Sequence, residues 1–179
     1  REYGLEKDKY ILFLGRRVPE KGLTYLIDAF KNVDTDFKLV IAGGSSDTDT
    51  YTDQIKNMAK DDLRILFTGF VQGKMLEELY SNAYVYVLPS DVERMPLSLL
   101  EAMSYGNCCL VSDIKEITEV VEDKAVIFPK GNVNLIKKKL QFLCDNKSEV
   151  AQYKAQATEF MCGKYNWNSV VNETVSLYY

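Results

Sequence analysis

Residues 10–22 read YILFLGRRVPEKG, an apolar run of five residues followed by a turn with two glycines and three cations. An apolar run of this length that ends at a glycine is typical of a buried strand. Gly15 lets the chain turn sharply, and Arg16 and Lys21 can reach an anion beside the start of the next helix. The pattern therefore predicts a phosphate or diphosphate site, with a solvated basic loop as the alternative.

Apolar runs of strand length alternate with stretches of helical period along most of the chain. Hydrophobic residues recur at helical spacing in residues 23–30 and 133–143. The alternation predicts an α/β fold, a Rossmann-like doubly wound parallel sheet with helices on both faces. The predicted strands cover residues 10–14, 37–42, 64–68, 84–88, 108–111 and 125–128.

The whole chain, residues 1–179, is predicted to form a single domain. Residues 1–8 are predicted to be residual linker, and residues 148–179 to be C-terminal helices, the last of which follows Trp167. Because the chain starts with Arg1 and the fold pattern begins almost at once, we expect a fragment of a longer protein.

Composition excludes several classes of function. The net charge is -4 with both signs interspersed, which argues against a nucleic-acid-binding surface. No apolar run approaches the roughly 20 residues that a membrane helix needs. The chain has no histidine, so its own residues cannot provide Ser-His-Asp or Cys-His catalysis.

The four cysteines show no C-x-x-C spacing, which argues against a zinc site. Cys108 and Cys109 lie in an apolar stretch, where thiols usually serve as small buried hydrophobes. We therefore predict reduced thiols and a cytoplasmic protein, with disulfide pairing in a secreted protein as the alternative.

Two more predicted strands end in glycine. VIAGGSSDTDT, residues 40–50, carries Gly43 and Gly44, and LFTGFV, residues 66–71, carries Gly69. Glycine allows a ligand to approach the backbone closely. Three glycine-marked strand ends at one edge of a sheet predict a ligand-binding crevice.

The stretch PSDVERMPLSLLEAMSYG, residues 89–106, carries two glutamates. Glu93 lies in a polar loop after a strand, Pro96 marks a helix start, and Glu101 lies more than a turn inside that helix. A carboxylate suits hydroxyl groups such as a ribose diol, and free amides at a helix start suit an anion. The alternative is that both glutamates are solvent-exposed surface residues without a ligand. The amides expected to be free are those near Met95, Leu97 and Ser98.

Together these motifs resemble the nucleotide-binding half of a retaining glycosyltransferase with the GT-B fold, more narrowly family 4. The resemblance covers essentially the whole chain, through Gly15-Arg16 with Glu20-Lys21-Gly22, LVIAGG, ILFTGFV, YVYVLPS, the two glutamates with seven residues between them and the terminal YNW. Members of that family have two Rossmann-like domains that face each other across a cleft.

The resemblance implies a role for each site residue. Arg16 and Lys21 would hold the diphosphate of a nucleotide sugar and stabilise it as the leaving group. Glu93 would contact the donor sugar, with a nucleophilic role left open, and Glu101 would bind the ribose hydroxyls. Further donor contacts are implied for Gly15, Gly43, Phe70, Val71, Met95 and Leu97.

The resemblance also implies partners. The donor would be a UDP or GDP sugar, with no cofactor or metal, and no nucleic acid would bind. A saccharide or lipid-linked acceptor would bind mainly to a missing N-terminal domain. The fragment alone should therefore bind nucleotide but transfer little sugar. Membrane contact by the full-length protein is left open.

Two positions depart from the family pattern. Arg94 stands where relatives usually have glycine after the first glutamate, and Cys108 where proline is common. Arg94 puts the donor preference in question. The alternative functions are a sugar-nucleotide epimerase of the same fold and a non-catalytic domain that binds nucleotides or mediates assembly.

Overall fold

A computed structural model of the protein describes residues 3–44 and 49–164. The six predicted strands are all confirmed, with each boundary within one residue of the prediction. The predicted helix after Trp167 lies outside the described residues. The strands are β1 (Tyr10–Leu14), β2 (Lys38–Ala42), β3 (Ile65–Gly69), β4 (Val85–Leu88), β5 (Cys108–Ser112) and β6 (Val126–Phe128). The helices are α1 (Leu23–Lys31), α2 (Asp49–Ala59), α3 (Gly73–Asn82), α4 (Leu97–Ser104), α5 (Lys115–Val121), α6 (Val133–Asp145) and α7 (Lys147–Lys164).

The strands form one sheet in the order β3-β2-β1-β4-β5-β6, and all neighbours run parallel. Helices cover both faces, which confirms the Rossmann-like doubly wound fold. Every residue of β4 and β5 is buried, as expected for strands covered on both sides. Helix α1 packs against α2 and α6, and α4 packs against α7.

The strand order reverses between β1 and β4, which are neighbours in the sheet although β2 and β3 separate them along the chain. The turns that follow β1 and β4 therefore lie side by side. The amide of Asp91 donates to the carbonyl of Glu20 at 2.8 Å. Gly22 has φ +71 and lies so close to the carbonyl of Pro89 that a Cβ there would stand 2.0 Å from the oxygen. In sheets of this kind, ligands bind outside the carboxyl ends of the strands at such a switch point.

All four cysteines are free thiols, and they differ in exposure. Cys108 and Cys109 are fully buried in β5, as predicted, and burial raises the pKa of Cys108 to about 12. Burial also raises the pKa of the half-buried Cys144 to about 11, whereas Cys162 on α7 is exposed. Among the described residues, no helix is long and apolar enough to cross a membrane.

We expect Cys162 to react first with Ellman's reagent in the folded protein, because thiolate formation and access both control the rate. Cys108 and Cys109 should react only on unfolding. Cys162→Ser should remove the fast phase. Rapid labelling of Cys108 in the folded protein, located by mass spectrometry, would contradict the packing of β5.

Candidate functional site

An ion pair crosses the switch point between β1 and β4. Lys21 ends a short 3₁₀ turn, Pro19–Lys21, after β1, and Glu93 lies in the loop after β4. Lys21 Nζ is 2.6 Å from Glu93 Oε1, and their side chains are only 16% and 4% exposed. The pair joins the two stretches of sequence that were predicted to carry the site.

Two serines support the carboxylate of Glu93. Ser90 Oγ donates to Glu93 Oε1 at 2.7 Å, and Ser112 Oγ at the end of β5 donates to the carbonyl of Ser90 at 2.6 Å. Both serines are fully buried. Neither serine was predicted as a site residue, and the only sequence signal for them was a polar residue at the end of an apolar strand or two residues after it.

The two arginines of the first turn have different environments. Arg16 is exposed beyond the carboxyl end of β1. Arg17 is 8% exposed, its amide donates to the carbonyl of Gly44 at 3.1 Å, and its Nε has no hydrogen-bond partner among the described residues. Of these two cations, Arg16 is therefore the one that faces solvent at this rim.

The turns after β1 and β2 are in close contact. Gly15 donates its amide to the carbonyl of Ala42 at 3.1 Å, and Gly43, with φ +129, packs against the carbonyl of Gly15. Phe70, after β3, is 74% exposed. The side chain of Val71 belongs to the hydrophobic core and is 8% exposed, so of these two adjacent residues only Phe70 offers its side chain to a ligand.

The start of α4 differs from the expectation in one respect. Met95 and Leu97 are exposed, but the amide of Leu97 is not free, because it donates to the carbonyl of Met95 at 2.9 Å. Pro96 has φ -80 and ψ 69 and closes an inverse γ-turn between them. The helix begins one residue later, at Leu97.

Glu101 is an exposed residue of α4, and its Oε2 accepts a hydrogen bond of 3.0 Å from the hydroxyl of Tyr80. Tyr80 lies at the end of α3 and was not predicted as a site residue. Its spacing in the helix is that of an ordinary core position, so the sequence held no signal for this contact.

A family model of glycosyl transferases group 1 matches residues 1–160. The chain belongs to this family. Among curated relatives, an uncharacterized glycosyltransferase of Methanocaldococcus jannaschii is 32% identical, over 99% of this chain and 47% of its own length. O-antigen chain mannosyltransferase B of Escherichia coli is 28% identical, with the same coverages of 99% and 47%. The chain thus spans about half the length of these relatives.

Solved structures share the fold of this group 1 domain. Sucrose-phosphate synthase from Thermosynechococcus elongatus aligns with a TM-score of 0.86 at 23% identity, over 99% of this chain and 46% of its own. Anabaena HepE, crystallised with UDP and glucose, aligns with a TM-score of 0.86 at 17% identity, over 94% of this chain and 48% of its own. At such identities the likeness shows the fold alone, the Rossmann-like architecture of GT-B glycosyltransferases.

In this group 1 domain, the site combines cations, carboxylates and hydroxyls at one edge of the sheet. Lys21 has three donor hydrogens, so its ammonium can bond Glu93 and a ligand oxygen at the same time. The described residues contain no group of three or more His, Cys, Asp or Glu side chains that could hold a metal ion. Arg94 is exposed beside Glu93.

Proposed function

We propose that this chain is the donor-binding domain of a retaining glycosyltransferase, which transfers a hexosyl group from a nucleoside-diphosphate sugar to a saccharide or lipid-linked acceptor. The observation that carries the proposal is the Lys21–Glu93 pair across the switch point. It puts a cation and a carboxylate where a doubly wound sheet binds its ligand. The UDP and glucose in the Anabaena structure of the same fold favour a UDP-type donor, with a GDP type as the alternative.

The charges of the site suit glycosyl transfer. Negative charge develops on the diphosphate as it leaves, and positive charge develops on the oxocarbenium-like sugar. Arg16 and Lys21 would take up the negative charge without a metal ion. Glu93 would face the sugar and stabilise its positive charge, so we assign it to donor positioning and electrostatics.

The ion pair is suited to this task because both side chains are already held in place. Ser90 and Lys21 both donate to Oε1 of Glu93, which limits the rotation of the carboxylate. A diphosphate beside Lys21 therefore meets an oriented ammonium, and little reorganisation is needed when the leaving group departs.

The remaining contacts would hold the nucleoside. Glu101 would bind the ribose diol, and Gly15, Gly43 and Phe70 would border the base. The backbone near Val71, Met95 and Leu97 would complete the donor site. An acceptor would bind mainly to a second domain, in a cytoplasmic enzyme with peripheral membrane contact in the lipid-linked case.

Calorimetric titration tests the proposal with UDP, GDP, ADP and their glucose or mannose conjugates. We expect one base to be preferred, and EDTA to leave binding unchanged. Arg16→Ala and Glu101→Ala should each weaken binding about tenfold or more, because each removes a hydrogen bond to or from a charged group. Lys115→Ala is the control, since the Lys115 side chain is 81% exposed in a surface pair with Glu119.

Failure of every nucleotide to bind a chain that remains folded by circular dichroism would contradict the proposal and favour a non-catalytic domain. Conversion of the donor sugar into its epimer by the complete protein would contradict transfer and favour the epimerase alternative.

A further inference from the structure

Both the ring and the backbone of Tyr80 are held in place by neighbouring residues. The residue is 1% exposed, and its ring stacks on Tyr105 with centroids 5.3 Å apart and planes 10° from parallel. The buried amide of Asn107 donates to the carbonyl of Tyr80 at 2.8 Å and to that of Ala102 at 3.0 Å. The end of α3 is therefore tied to α4, and the tyrosine hydroxyl has a fixed position.

The hydroxyl of Tyr80 reaches two acceptors on α4. It is 3.0 Å from Oε2 of Glu101 and 3.2 Å from the carbonyl of Ser98. Burial raises the pKa of Tyr80 well above its usual value, so the hydroxyl stays protonated and acts as a donor. Among the described residues, Tyr80 is the only side chain that hydrogen-bonds the carboxylate of Glu101.

The same helix is also tied to the basic turn. The hydroxyls of Tyr86 and Ser98 are 2.7 Å apart, and Tyr86 donates to the carbonyl of Leu14 at 3.4 Å. Leu14 ends β1, directly before the turn that carries Arg16 and Lys21. A tyrosine and serine network thus sets the position of Glu101 relative to that turn.

We propose that Tyr80 is a positioning residue that orients the carboxylate of Glu101 toward a vicinal diol, so that the site distinguishes the ribose of a bound nucleotide from a sugar that lacks both hydroxyls of the diol. This inference rests on the proposed function, in which Glu101 binds the ribose. A glutamate side chain has several rotatable bonds, and fixing them on binding lowers affinity. Tyr80 has already restricted them before the ligand arrives.

The test compares UDP and GDP with their 2′,3′-dideoxy counterparts by calorimetry, for the unmodified chain and for Tyr80→Phe. We expect the unmodified chain to prefer the ribonucleotide about tenfold or more, because the dideoxy ligand loses hydrogen bonds to a charged group. Tyr80→Phe should weaken ribonucleotide binding about threefold to tenfold while dideoxynucleotide binding stays nearly unchanged. The ratio of the affinity for the ribonucleotide to the affinity for the dideoxynucleotide should therefore be smaller in Tyr80→Phe than in the unmodified chain.

Tyr84→Phe is the matched control. It also removes a buried tyrosine hydroxyl, one that donates to the carbonyl of Leu143 at 2.6 Å, and it should keep the full preference. In a second control, Tyr80→Phe should have no further effect on binding when combined with Glu101→Ala.

An unchanged ribose preference in Tyr80→Phe, or an equal loss for both kinds of ligand, would overturn the inference and leave the proposed function standing. An equal loss is what a merely structural role would produce. If the folded, unmodified chain bound none of UDP, GDP and ADP, the proposed function and this inference would fail together.

Discussion

Gly43→Ala is expected to destabilise the domain by about 3 kcal/mol or more. Gly43 has φ +129, a conformation that alanine rarely adopts, and a Cβ there would stand 2.0 Å from the carbonyl oxygen of Gly15. That carbonyl belongs to the backbone and cannot rotate away as a side chain would. Hydrogen bonds from Gly15 to Ala42 and from Gly43 to Gly69 hold both turns in place. Thermal unfolding should show a midpoint lower by about 6–12 °C.

Gly44→Ala provides a control at the adjacent residue. A Cβ on Gly44 would meet no atom of the described residues within 4 Å, so the effect of the substitution should stay within about 0.5 kcal/mol. Equal unfolding temperatures for the two variants would contradict the close contact between the turns after β1 and β2. Because these turns form one side of the candidate site, a destabilised Gly43→Ala should also lose nucleotide binding.

Under the proposed function, Lys21→Met is expected to lower the turnover number of the complete protein in sugar transfer by about 10²- to 10³-fold. Methionine keeps much of the aliphatic volume but removes the cation that would stabilise the departing diphosphate. The measurement is the rate of sugar transfer at saturating donor. Lys115→Met, on the surface, should leave that rate unchanged.

The same substitution leaves the buried carboxylate of Glu93 without its cation, which is destabilising in itself. The double variant Lys21→Met with Glu93→Gln removes both charges and should recover stability. We expect its transfer rate to stay low. If transfer recovered together with stability, Lys21 would have only a structural role and the catalytic assignment would be overturned.

The elements of the fold could be predicted closely because parallel strands buried on both faces are continuous apolar runs. Residues 108–112 illustrate this, since every side chain of β5 is buried. Lys21 and Glu93 could each be placed at a strand end for the same reason. Their pairing could not be predicted, because they are 72 residues apart and meet only where the strand order reverses.

Local sequence patterns were less informative about the contacts that single residues of the site make. Glu101 was expected to bind a ribose diol or to lie on a solvent-exposed surface; it is exposed, and within the protein it accepts a hydrogen bond from Tyr80. The amide of Leu97 was expected to be free, but the γ-turn at Pro96 uses it. The segment Phe70 to Val71 was expected to border the base; the structure adds that the side chain of Val71 packs into the core.

The sequence by itself determined the α/β class, the six strands and the position of the basic turn and both glutamates along the chain, because these follow from hydrophobic period and from glycine and proline. Only the tertiary structure decided which of these residues meet. Lys21 pairs with Glu93, and Tyr80 with Glu101, because the sheet places β4 beside β1 and packs α3 beside α4. Such contacts depend on strand order and packing, which no local pattern encodes.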